Sequence, residues 1–101
     1  MERKFEASLL VNNKSIELNP FVNDFLSRTV VCATSSLKEA EDIQSLEFYL
    51  KQGDVTIVVN EKEIPLTPFP NDVIANTIIG LVSSLKGVDK VENIRISVKV
   101  F

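Results

Sequence analysis

The chain has no histidine, no tryptophan, one cysteine (Cys32), one tyrosine (Tyr49) and three glycines among its 101 residues. Without histidine there is no general base of the commonest kind, no usual zinc ligand, and no Ser–His or Cys–His arrangement. A single cysteine excludes an internal disulfide framework and fits a reducing compartment. The glycines, Gly53, Gly80 and Gly87, stand far apart, so nothing resembles a loop that cradles phosphate. Basic residues are scarce too: 11 Lys and Arg face 14 Asp and Glu, a net charge of −3. Nucleic-acid binding draws on clustered Lys and Arg to displace phosphate counterions, and beyond Arg3-Lys4 no cluster exists, so composition argues against it. Long apolar runs are missing as well. The stretch from Val73 to Leu85 is interrupted by Asn76, Thr77, Ser83 and Ser84, too short and polar to span a bilayer. Met1-Glu2-Arg3-Lys4 leads directly into an alternating pattern with no apolar leader, and the expected location is cytoplasmic.

What is present is a repeat. Residues 6–51 align with residues 54–99 at a constant offset of 48, without a gap, and 15 of the 46 aligned pairs are identical. Asn12/Asn60, Pro20/Pro68, Phe21/Phe69, Asn23/Asn71, Asp24/Asp72 and Thr29/Thr77 are among the identities, as is Ser35-Ser36-Leu37-Lys38 with Ser83-Ser84-Leu85-Lys86. A tandem duplication accounts for such a match. A unit of about 48 residues buries too little apolar surface to be comfortable alone, so the expectation is one domain over 1–101 whose two repeats (about 5–51 and 54–101) share a core.

Each unit reads strand, turn, strand, helix, strand. Phe5, Ala7, Leu9 and Val11 alternate with Glu6, Ser8 and Leu10, and Leu46, Phe48 and Leu50 with Glu47, Tyr49 and Lys51. Ile94, Ile96, Val98 and Val100 oppose Arg95, Ser97 and Lys99 in the same way. Asn12-Asn13 and Asn60-Glu61 are tight-turn signals. Asn19-Pro20 and Thr67-Pro68 place a capping side chain before a proline at each helix start, although Pro70 allows helix 2 to begin there. Val22, Phe25, Leu26, Thr29, Val30, Ala33 and Leu37 form the expected core stripe of helix 1. Val73, Ile74, Thr77, Ile78, Leu81, Val82 and Leu85 form that of helix 2, with Gly87 as its expected C-cap.

These elements predict an α+β fold of two tandem ββαβ repeats related by pseudo-twofold symmetry, a two-layer sheet with two helices on one face. The helix crossover is expected to make the second and third strands of a unit parallel. With a hairpin at Lys51-Gln52-Gly53-Asp54, both first strands would then run the same way, which a twofold axis perpendicular to a flat sheet forbids. A closed six-stranded, double-psi-like barrel is therefore the alternative.

No residue pattern points to catalysis, a cofactor or a metal. Cys32 aligns with Gly80 and reads as a small residue where helices pack closely. Glu39, Glu41 and Asp42 lack the regular spacing and sharp-turn glycine of a cation loop and read as a solvated segment. Asn23, Asp24, Asn71 and Asp72 form a candidate symmetric polar patch, and helix capping explains them equally. Val31 and Ile79 lie off the centre of their stripes, either touching the other helix or offering an apolar strip to a partner.

The second unit, through Val59-Asn60-Glu61-Lys62-Glu63-Ile64-Pro65-Leu66 and Thr77-Ile78-Ile79-Gly80-Leu81-Val82-Ser83-Ser84-Leu85-Lys86-Gly87-Val88, resembles a group of short, uncharacterised archaeal proteins built from a single such unit. It departs from the first unit where Cys32 replaces Gly80 and Glu39 replaces Gly87. The resemblance implies an archaeal, cytoplasmic origin and supplies no activity. Single-unit relatives would pair as dimers, with this chain a covalent version. The functional expectation is a non-catalytic binding or assembly module with a protein partner or a second copy. The alternative is a small-ligand binder or unusual enzyme with a cleft between the repeats, using Asp24 and Asp72 or Lys38 and Lys86.

Overall fold

The computed structural model describes residues 4–37, 42–85, 87–88 and 90–101. Its elements are β1 (Phe5–Val11), β2 (Lys14–Ile16), α1 (Pro20–Ser35), β3 (Ser45–Lys51), β4 (Asp54–Val59), β5 (Lys62–Ile64), α2 (Pro68–Ser83) and β6 (Asn93–Val100). The six strands form one sheet in the order β2-β1-β6-β3-β4-β5, and every neighbouring pair is antiparallel. The sheet is open, with the short strands β2 and β5 as its edges. This is the α+β architecture favoured by the alternation, not the barrel.

Three two-residue turns make the hairpins. Asn12 and Asn13 (φ 52° and 67°), Gln52 and Gly53 (50° and 84°), and Asn60 and Glu61 (49° and 70°) all adopt left-handed backbone. Two consecutive positive φ values define the type I′ turn, whose twist matches that of the flanking strands.

One expectation about direction is overturned. Because β1 opposes β6, β6 opposes β3 and β3 opposes β4, β3 runs parallel to β1 and antiparallel to β2, not parallel to β2. Strand β3 starts at the end of the sheet where β1 begins, level with Lys99. The two first strands, β1 and β4, consequently run in opposite directions. The hairpin at 52–53 and an open sheet are then compatible, and the conflict that motivated a barrel disappears.

The helix starts follow the sequence. The side chain of Asn19 accepts a hydrogen bond from the Val22 N–H at 2.8 Å. Thr67 makes no such bond, because the equivalent donor position is Pro70, which has no N–H. Helix α2 nevertheless begins at Pro68 rather than Pro70, since the first turn has no intrahelical use for the missing donor. Both helices end earlier than expected, with Ser36 and Ser84 as C-caps, so Gly87 (φ +83°) lies beyond the cap.

One face of the sheet is dry. Leu9, Val11, Leu46, Phe48, Leu50, Val55, Ile57, Val59, Ile94, Ile96 and Val98 are buried in a single cluster with Leu26 and Val30 of α1 and Ile74, Ala75, Ile78 and Val82 of α2. Phe48 and Ile96, on the two central strands, are fully enclosed. The helix stripes are rotated from the expected ones. Ser27 and Thr34 are buried in α1, whereas Phe25 and Val73 point outward.

Candidate functional site

The rotation has a local cause, and it accounts for two of the asparagines, Asn23 and Asn71. Strand β2 is too short to pair with the beginning of β1. The Asn23 amide fills the gap: its Oδ1 accepts from the Ala7 N–H and its Nδ2 donates to the Phe5 carbonyl, both at 2.9 Å. Asn71 does the same on β4, accepting from the Val55 N–H at 2.8 Å and donating to the Gly53 carbonyl at 2.9 Å. A side-chain amide here imitates the peptide of a longer edge strand. Position 23 is thereby fixed toward the sheet, and helical spacing brings positions 26, 27, 30 and 34 with it. Positions 21 and 25 are left on the outside.

Asn12 and Asn60 perform a second task. Asn12 Oδ1 accepts from the N–H groups of Glu92 and Asn93 (2.8 and 2.9 Å), and its Nδ2 donates to the Lys90 carbonyl. Asn60 Oδ1 accepts from Gln44 and Ser45 (2.9 and 3.0 Å), and its Nδ2 donates to the Asp42 carbonyl. Each asparagine therefore holds the segment that leads into a third strand of the other half. Sequence reasoning assigned them only to turns, yet their identity at both positions was the available signal.

The candidate patch residues are not gathered into one site. Asn23 sits over the start of β1 and Asn71 over the start of β4, at opposite ends of the sheet. Asp24 and Asp72 are exposed, and Asp72 accepts a 3.3 Å hydrogen bond from Asn71 Nδ2. Val31 and Ile79 are half-buried and pack against the core. Ile79 also borders a cleft of about 450 Å³ with Leu50, Lys51 and Gln52 on one side and Lys90 to Asn93 on the other. Cys32 is exposed and a Cβ at Gly80 would meet nothing within 4 Å, so neither marks a close helix crossing. Lys38, Glu39, Glu41 and Lys86 lie outside the described residues.

The conspicuous surface feature is on the helices. Phe21 is 72 % exposed and its counterpart Phe69 78 %; Phe25 is 51 % exposed and its counterpart Val73 46 %. The Phe21 and Phe25 rings lie 5.8 Å apart, one helical turn from each other. Charge is sparse around them, with Asp24 and Arg28 in α1 and Asp72 in α2. Arg28 is drawn over the Phe5 ring, 5.1 Å from its centroid. The two apolar pairs belong to helices whose first turns lie over opposite ends of the sheet. Each exposes about 250 Å² on the usual aromatic areas. Phe21 and Phe69 were visible in the sequence only as an identity, and Phe25 and Val73 were assigned inward.

The opposite face of the sheet is polar and mixed in charge. Arg95 lies over the Tyr49 ring at 5.3 Å, and the Ser97 hydroxyl donates to Glu47. Among the described residues no group of His, Cys, Asp and Glu is placed to hold a metal ion, and no helix is long and apolar enough to cross a membrane. No family model matches the chain, and neither a curated protein nor a solved structure matches it.

Proposed function

We propose that the chain is a non-catalytic binding or assembly module, two ββαβ repeats related by a pseudo-twofold axis between β3 and β6, acting in the cytoplasm. The observation that carries this reading is the duplicated pair of outward apolar side chains, Phe21 with Phe25 and Phe69 with Val73, on helix faces almost without charge. Exposed aromatic pairs of this kind mark protein contacts. A stable interface takes about 800 Å² from each partner. One pair supplies less than half of that, so each acts as an anchor inside a wider contact. The pseudo-twofold relation is supported by the strand order, which reads the same from either edge when each strand is exchanged for its counterpart 48 residues away. The likeness to single-unit archaeal proteins belongs to the same reading, with this chain as their fused pair.

The test is the double variant Phe21→Ser/Phe69→Ser. It should keep its thermal midpoint while losing self-association in sedimentation, or binding to a partner identified by crosslinking. Unchanged association would remove the reading. The second reading, a small-ligand binder, rests on the cleft between Gln52, Ile79 and Glu92, where the repeats meet. A thermal-shift screen of metals, nucleotides and metabolites tests it, because a ligand of the native state raises the melting point.

A further inference from the structure

We propose that the chain exchanges halves with a second copy of itself, opening at the Gln52-Gly53 turn to form an intertwined dimer. The topology sets this up. Strand β3 forms no ladder with its own half; it pairs with β6 and β4, and β6 in turn pairs with β1 and β3. Residues 4–51 and 54–101 thus hold each other through three complete ladders, the shared core and the Asn12 and Asn60 clamps. A two-residue turn is their sole covalent link. The same ladders form equally well when the halves belong to different chains, the condition for domain exchange.

The link itself is conformationally unfavourable. Gln52 has φ +50°, a left-handed conformation that its Cβ disfavours, and the type I′ turn prefers asparagine or glycine there. The beginning of β1 shows what β4 would look like without the turn. Phe5 is extended, and Asn23 clamps Phe5 and Ala7 as Asn71 clamps Gly53 and Val55. Opening the turn therefore costs neither the clamp nor a ladder. It removes one strained residue per chain, Gln52, and adds only the concentration-dependent cost of association.

The experiment uses the full chain with Gly53→Val and, separately, Gln52→Asn. A Cβ at Gly53 would meet nothing within 4 Å, and the β-branched valine strongly disfavours the backbone there, which sits at φ +84°. Refolded at millimolar concentration, Gly53→Val should show a dimer fraction above wild type by about tenfold or more in light scattering. Gln52→Asn should lower it. In a Cys32→Ser background, Glu47→Cys with Ser97→Cys pairs neighbouring positions of β3 and β6. Oxidised exchanged dimers will then run as covalent dimers in a denaturing gel. Three outcomes overturn the proposal: Gly53→Val monomeric at every concentration, Gly53→Val unfolded even at millimolar concentration, or dimers whose disulfides prove to be within one chain.

Discussion

The first half of the molecule is the more polar of the two inside and the more aromatic outside. Where α2 buries Ala75 and Val82, α1 buries Ser27 and Thr34, and neither hydroxyl has a hydrogen-bond partner. Where α1 exposes Phe25 and Cys32, α2 has Val73 and Gly80. Helix α1 has the Asn19 cap and α2 has none. Against this divergence the four asparagines at 12, 23, 60 and 71 are unchanged, and each pair makes the same hydrogen bonds. Many side chains that only fill volume or cover surface differ between the halves. Side chains that stand in for backbone do not differ, because only a carboxamide offers a donor and an acceptor in a peptide's geometry, and glutamine's extra methylene would change its reach.

The comparison can be broken first in the core. Phe48→Ala should cost about 4 kcal/mol and Ile96→Ala about 3 kcal/mol in denaturant unfolding, each in one cooperative step, because both lie at the seam between the halves. Asn12→Ala and Asn60→Ala should each cost about 2 kcal/mol and agree closely, since each removes three hydrogen bonds and places alanine at positive φ. A large difference between them would end the claim of equivalent roles. Ser27→Ala and Thr34→Val should each stabilise by about 1 kcal/mol by removing a buried, unpaired hydroxyl. The reverse changes, Ala75→Ser and Val82→Thr, should destabilise by a similar amount, read from the same unfolding curves. Smallest of all, Glu61→Gly should stabilise by about 0.5 kcal/mol, because glutamate at φ +70° is strained and glycine is not.

The alternation of Leu46 to Lys51 and Ile94 to Val100 made both third strands legible, and the Asn-Asn and Gly-containing turns made the hairpins legible. The direction of β3 was not, since the sequence between α1 and β3 carries no periodic pattern that reports direction. The facing of the helices was misread for a definite reason. Both helices carry apolar residues over more than half their circumference, so hydrophobic spacing alone admits two orientations. Asn23 and Asn71, a polar residue on the buried side, decide between them. The same ambiguity hid the outward Phe25 and Val73, and with them the surface now proposed for binding.

The central claim is that neither half is complete without the strand the other supplies. Native-state amide hydrogen exchange measures it directly. The account predicts that the ladders of β1, β3, β4 and β6 open together, with protection equal to the global unfolding free energy in both halves. If the amides of β1 and β3 exchanged through a separate, lower-energy opening while those of β4 and β6 stayed protected, the halves would be independent and the account wrong.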